Sequence, residues 1–337
     1  MNQSKTNGMT LKMWIPITWI VLAAILLSGC GAHQAKVYHV GILSAGGSFV
    51  AIGDGFKAQM TKLGYIEGQN ISYNMQTSDD PAKEQVMAKQ LVDEKVDLIF
   101  AFPAPPTAAA YSAAQGTNIP VVFAYYQLEG NNLVKSVQKP GGNITGVRYP
   151  GPELISHRLQ LLNEMVPQVK RVWVGYDKNG ANNPAALDAL RPAATSLDIT
   201  LVEVPVNNQG DLGTDLATRA GSADLGIDAI LTMPDSFNTS PDGFAVLSKF
   251  AAAHNLPLAG GLASQAQQGA LFINGTDFNN VGELAAPLAD KVLKGIPAGT
   301  IPVVTPEQTL IINNKVAQAL GITVPAGLLN QADQVIH

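Results

Sequence analysis

From residue 37 onward, apolar runs of strand length alternate with longer stretches of helical pattern, and the alternation occurs twice. In the first series, strands are predicted over 37–43, 71–75, 97–101 and 120–124. Helices fall between them over 50–63, 81–94 and 105–114; the last two open on or beside proline, as first helical turns allow. This βαβ order predicts a parallel sheet with helices on both faces. The pattern then restarts: strand 171–176, helix 184–197, strand 199–205, helix 212–220, strand 229–232, helix 244–254 and short strands 256–259 and 270–273. Between the series lies the turn-rich stretch Lys139-Pro140-Gly141-Gly142-Asn143, with 143–149 as a first crossing. A long amphipathic helix over 281–293, ended by Gly295 and Pro297, a strand over 308–313 and a helix over 315–320 close the chain. Such late segments are expected to cross back between two lobes of one architecture. The predicted class is α/β, with two Rossmann-like lobes built on parallel sheets. The first lobe is expected to take 37–145 plus about 278–305, and the second 146–277 plus about 306–337.

The amino terminus has a different pattern. Lys5 and Lys12 precede an apolar run that starts near Met13 and ends at Leu27-Ser28-Gly29-Cys30. A basic start, an apolar middle and small residues at the cut form a secretory signal. A cysteine directly after the small residues makes it a lipobox, with cleavage before Cys30 and lipid on its thiol. The run is about 15 residues, short of the ~20 that span a bilayer; an uncleaved anchor is the plainer alternative. On the lipobox reading, 1–29 is a signal peptide and 30–36 a lipid-anchored tether. The mature protein would then sit outside the cytoplasm of a bacterium, held to a membrane.

Composition narrows the picture further. With 46% hydrophobic and 14% charged residues, the chain has ample core material. Cys30 is the one cysteine, so no disulfide supports the fold. Net charge is −5, and becomes −7 once Lys5 and Lys12 are removed; with no basic block, nucleic acid is an unsuitable partner.

Ligands of open parallel sheets bind beyond the carboxyl ends of the strands, which selects the candidate residues. After the first strand, Ser44, Gly46 and Gly47 would leave backbone N–H groups open for a carboxylate; a plain glycine turn is the alternative. Phe102 and Thr107 flank a proline-stiffened loop after the third strand. Tyr125 and Tyr126 end the fourth, where their rings can enclose a flat or apolar ligand or pack in the core. In the second series, Tyr176 and Asp177 end a strand, and Asn182 precedes a helix. Asp235 directly follows another strand, placed to hold a ligand ammonium or to cap the next helix.

Signatures of catalysis are missing: the sequence has no G-x-S-x-G elbow, Walker loop or H-E-x-x-H. The five histidines are scattered without metal spacing. No cofactor or metal is expected, and a secreted α/β hydrolase is a remote alternative.

Several stretches resemble the ABC transporter substrate-binding proteins, of the type that includes tryptophan- and other aromatic amino acid-binding lipoproteins. They are Val40-Gly41-Ile42-Leu43, Gly64-Tyr65-Ile66-Glu67-Gly68-Gln69-Asn70, Pro140-Gly141-Gly142-Asn143-Ile144-Thr145-Gly146-Val147, Met233-Pro234-Asp235 and the ending Ala319-Leu320-Gly321-Ile322-Thr323-Val324-Pro325. The resemblance covers nearly everything after residue 38. It implies a periplasmic-binding-protein type I fold: two lobes, a hinge, and a small ligand in the cleft, an amino acid or related amine. It also implies delivery to a membrane permease and its ATPase; the protein itself is expected to be a monomer that does no covalent chemistry. A lipoprotein sensor of the same fold, signalling to a membrane receptor, is the alternative. Family members often carry an acidic residue and a tyrosine near Gly261 and Asn274, where this chain reads Gly260-Gly261-Leu262-Ala263 and Phe272-Ile273-Asn274-Gly275.

Overall fold

The structure, a computed structural model, describes residues 1–3 and 36–337. The predicted signal segment and Cys30 lie outside the described residues.

Five strands, β1 (Tyr38–Ser44), β2 (Ile71–Thr77), β3 (Leu98–Phe102), β4 (Val121–Tyr126) and β5 (Ile144–Arg148), form a parallel sheet in the order β2-β1-β3-β4-β5. Between them run α1 (Val50–Lys62), α2 (Pro81–Asp93) and α3 (Ala104–Ala114). Local chemistry fixes their ends. Pro81 supplies a ready-made φ at the start of α2, and the Asp80 carboxylate ahead of it accepts the Ala82 N–H at 2.9 Å. β3 is buried along its whole length, which explains why it reads as a continuous apolar run rather than an alternating one.

The second sheet has seven strands: β6 (Arg171–Asp177), β7 (Thr200–Val206), β8 (Ala229–Leu231), β9 (Leu258–Gly260), β10 (Phe272–Gly275), β11 (Thr309–Asn313) and β12 (Gln334–Ile336). Their order is β12-β11-β10-β9-β8-β6-β7. Its helices include α4 (Gly151–Met165), α5 (Asn183–Ser196), α6 (Gln209–Ala220), α7 (Ser236–Thr239), α8 (Pro241–Ala253) and α9 (Ala263–Gln267). α10 (Phe278–Leu293) follows β10, and α11 (Asn314–Ala319) and α12 (Ala326–Gln331) follow β11.

Several features depart from the sequence pattern, among them β5, a full strand of the first sheet in the stretch read as a crossing. β11 pairs antiparallel with β10, because it enters this sheet from the first one at the carboxyl end of β10. α4 is not among the expected elements, and neither are the short helices α7, α9 and α12 or the strand β12. The buried residues Leu154, Ile155, Leu159 and Leu162 of α4 recur at helical spacing, in a stretch expected only to lead into the second lobe.

The chain passes between the sheets three times. β5 leads into α4, β10 leads into α10, and residues after Val304 lead into β11. Although late in sequence, α10 packs on α1. Its Val281, Ala285, Ala286 and Ala289 share one buried cluster with Val40 and Ile42 of β1. Two glycines permit the close approach: a Cβ on Gly55 would lie 2.1 Å from the Asn279 carbonyl oxygen, and one on Gly282 would lie 2.0 Å from that of Ile52. Arg148, at the end of β5, ties two crossings together. Its guanidinium pairs with Glu129 and Glu153 and donates to Thr305 Oγ1 at 2.9 Å.

Candidate functional site

The chain irregularity that shapes the site is at Tyr125. The pairing of β4 with β5 slips between Ala124 and Tyr126, and Tyr125 takes a left-handed backbone with φ +56°. Such a conformation costs a non-glycine residue about 1–3 kcal/mol, and a bulge of this kind re-aims one side chain. Consequently the two adjacent tyrosines part company. Tyr126 packs with Leu43, Ile99 and Phe123 in the core on one face of the sheet. Tyr125 turns toward the junction of the two sheets. Its ring centroid lies 5.6 Å from Phe49, 4.5 Å from Tyr149 and 5.0 Å from Phe278, the last edge-on; Phe49 and Phe278 stack at 5.2 Å. Four rings thus meet from the turn after β1, from β4, from the crossing after β5 and from the start of α10.

Beneath the rings lies a polar group. The Tyr125 hydroxyl faces Tyr149 and Thr276, and the Tyr149 hydroxyl faces the Arg158 guanidinium. Burial holds both phenols above the ordinary tyrosine pKa and pulls the arginine below its own. Arg158 is 2% exposed. It donates to the carbonyls of Thr232 and Asn274, each at 2.7 Å, joining the ends of β8 and β10. Among the described residues it has no salt bridge. Its Nε, Asn274 Oδ1 and Thr276 Oγ1 are buried without hydrogen-bond partners.

A cavity of about 490 Å³ adjoins this group. Phe278, Ile273 and Ile311 supply apolar wall, and Ser48, Ser264 and Thr276 supply hydroxyls. Its charged residues are Asp277 and Asp333; no lysine or arginine lines it. Asp277 caps α10 through the Asn280 N–H at 3.0 Å, and Asp333 accepts the Leu310 N–H at 2.8 Å, each through one oxygen. The other oxygen of each carboxylate has no such bond among the described residues, so each can take an ammonium. Gly261 also lines the cavity and backs onto Arg158: a Cβ there would stand 2.6 Å from Nη2. The size and mixed lining suit a small molecule with an apolar body and a few polar groups. Among the described residues no group of His, Cys, Asp and Glu is arranged to hold a metal ion.

The residues expected from sequence take several different places. Ser44 is buried, and its hydroxyl is 3.0 Å from Thr77 Oγ1 on β2. The Gly46 N–H, expected to be open to a carboxylate, donates to Asp79 Oδ1 at 2.9 Å. Close to Asp79 lies Glu84, whose carboxyl is pushed up by burial, by Asp79 and by Asp80. This loop is therefore an acidic corner rather than an anion site, while Gly47 opens the short turn that presents Phe49. Phe102 points into the core, 4.8 Å from Phe100, because its strand is buried on both faces. Thr107 spends its hydroxyl on the carbonyls of Ala101 and Pro103.

Tyr176 packs beside α5 and reaches Glu203 at 3.4 Å. Asp177 folds back onto the Asn179 N–H at 2.9 Å. The Asn182 carbonyl accepts from Gln127 Nε2 at 3.4 Å, a bond between the two halves. Asp235, expected as an ammonium holder, is a cap with all its acceptor positions filled. Oδ1 takes the Asn238 N–H (3.1 Å) and side-chain amide (2.9 Å), and Oδ2 takes the Asp177 N–H (3.1 Å) and the Asn183 amide (2.9 Å). Of the expected set, Tyr125 is the one that joins the aromatic group. Phe49, Tyr149, Arg158, Thr276 and Phe278 were not anticipated. One signal was available for Arg158: it interrupts the apolar stripe of α4 between Ile155 and Leu159.

Residues 39–336 match the family model of the ABC transporter substrate binding proteins. The chain belongs to that family. A tyrosine-binding protein of Clostridioides difficile (strain R20291) is 30% identical to this substrate-binding protein over 270 residues, covering 79% of this chain and 75% of the relative. Among solved structures, a Streptococcus pneumonia ABC domain in complex with L-Trp superposes with a TM-score of 0.79 at 26% identity, covering 89% of this chain and all of the other. A ligand-free, open substrate-binding protein with adhesive properties from Clostridium difficile gives 0.70 at 25% identity, over 89% and 99%. The two-lobed α/β architecture is that of the type I periplasmic binding proteins. The family binds small-molecule ligands and works outside the cytoplasm.

Proposed function

We propose that this substrate-binding protein captures an amino acid with an aromatic side chain between its lobes and delivers it to a membrane permease driven by an ATPase. The observation that carries this reading is the meeting of Phe49, Tyr125, Tyr149 and Phe278 from separate elements, beside a cavity lined by Asp277 and Asp333. Rings offer a stacking surface for a flat side chain, and the free carboxylate oxygens offer an ammonium site. That related proteins bind tyrosine and tryptophan supports the same ligand class. The lobes would close on the ligand by its differential affinity for the closed form, the Gln127–Asn182 bond being one contact that closure makes. The protein would act as a monomer, anchored through lipid on Cys30, with no chemistry of its own. Lobe limits of 37–145 plus 278–305 and 146–277 plus 306–337 belong to this reading, although β5 of the first sheet continues to Arg148 and puts the first crossing just after it.

Calorimetry of the purified protein against tyrosine, tryptophan, phenylalanine, neutral sugars and nucleosides tests the ligand class. Saturable binding of an aromatic amino acid is expected, with a melting temperature that rises with ligand concentration; a hundredfold excess over Kd adds about 2.7 kcal/mol. Tight binding of an uncharged sugar or nucleoside, with none of an amino acid, would overturn the ligand assignment.

A further inference from the structure

We propose that Arg158 supplies the positive charge against which the ligand's carboxylate is held, so that this protein requires an acid group on its ligand. The inference rests on the aromatic amino-acid reading and extends it to a second functional group. Three observations converge. First, a guanidinium with 2% exposure lacks an acid partner among the described residues. Removing a charge from water is expensive, and buried cations are normally paired; here two backbone carbonyls, the Thr232 hydroxyl and a phenol are what the fold provides. Second, the charge lies directly behind the cavity wall. Gly261 lines the cavity, and the position of its absent Cβ is 2.6 Å from Arg158 Nη2, so the wall at this point is one backbone thick. Third, donors at the same place are unused. Thr276 belongs to the cavity lining with its hydroxyl facing that of Tyr125, and neither its Oγ1 nor Arg158 Nε, both buried, has a hydrogen bond of ordinary geometry among the described residues.

The cavity thus has charges of both signs about it: Asp277 and Asp333 in its lining, and Arg158 behind the wall at Gly261. A zwitterion has both charges, whereas a decarboxylated amine has one. In the low dielectric of a closed cleft, the missing carboxylate would leave Arg158 uncompensated. Arg158 is a positioning residue in this scheme: it acts through the wall, and Thr276 makes the contact.

The test compares L-tyrosine with tyramine and L-tryptophan with tryptamine by calorimetry, on the full mature chain and its variants. In the wild type each acid should bind at least about 30-fold more tightly than its amine, the scale of a charge-assisted hydrogen bond. Arg158→Gln should reduce that ratio to less than about 3-fold, mainly by weakening the acid. Arg158→Lys alters the same two carbonyl contacts but keeps the charge, and should retain most of the ratio; a purely structural arginine would not separate the two. Where Arg158→Gln fails to fold, Thr276→Val serves instead and should lower the ratio by about tenfold, the acid losing more affinity than the amine. Equal binding of acid and amine in the wild type would overturn the proposal while the aromatic-amine reading of the site survives. The wild-type ratio persisting in folded Arg158→Gln would overturn it too. Failure of the wild type to bind any of the four compounds would overturn the amino-acid reading, and this proposal with it.

Discussion

Asp235→Asn separates two roles that the sequence left open, because a capping carboxylate and a ligand carboxylate fail differently. Asp235 is 9% exposed and receives four hydrogen bonds, two on each oxygen. In the variant one oxygen becomes an amide NH₂. If the new oxygen stays on Asn238, the NH₂ faces the Asp177 N–H and the Asn183 amide, two donors against a donor. Flipping Asn183, whose Oδ1 is free of partners, would mend one contact but break its 2.8 Å bond to the Asp177 carbonyl. The Asp177 N–H keeps no acceptor either way. Losing two charge-assisted bonds with partial repair gives about 2–4 kcal/mol of destabilisation, lowering Tm by about 5–12 °C for a unit of this size. Scanning calorimetry measures that shift, and titration of the folded variant at low temperature measures ligand affinity, expected to change less than about threefold. An unchanged Tm with affinity reduced tenfold or more would refute the cap and return Asp235 to the ligand.

Two further outcomes are expected. Arg171 holds Asp224 down to about 2, and with the Lys170 and Arg171 amides it outweighs the burial that would raise Asp228, leaving that carboxyl lowered as well. Both carboxyls are depressed in the folded protein, so their contribution is complete above about pH 4 and drains away toward pH 2; Arg171→Met should flatten the loss of Tm over that window, and an unaltered slope would count against the pairing. Cys30→Ser should abolish incorporation of a palmitate analogue and leave unprocessed precursor, and label retained by the variant would exclude lipidation at Cys30.

The fold was legible wherever burial imposes a period. β1, β3 and β4 are apolar runs because both faces are covered, and the adjacent Asp80 and Pro81 mark the start of α2 by cap chemistry alone. α4 was overlooked because Pro150, Gly151 and Pro152 look like loop punctuation, and its stripe is broken by Arg158. Choosing candidate residues from strand ends fixes a place in the fold but not the direction of a side chain. Whether a residue at a strand end faces the cleft or its own core depends on register and on local slips. The bulge that aims Tyr125 and leaves Tyr126 in the core has no counterpart in the letters Tyr125-Tyr126. The reversed polarity of the Ser44–Gly47 loop likewise comes from Asp79 and Glu84, residues brought there only by the pairing of β1 with β2.

The position of α10 also sets an order of events. Val40 and Ile42 belong to one buried cluster with Val281, Ala285 and Ala289, so the half of the protein that is synthesised first cannot be finished until nearly the whole chain has emerged. At about 5–20 residues per second, tens of seconds separate the appearance of β1 from that of the helix that seals it. Until then α1, whose Phe56 stacks on Phe100 of β3, lacks the cover that α10 gives its other flank, while the intervening chain can complete most of the second sheet. Contacts of such long sequence separation slow folding. They also mean that the gene cannot be cut once to yield two self-sufficient pieces: a fragment ending before Phe278 retains every strand of the first sheet yet lacks the wall that buries it.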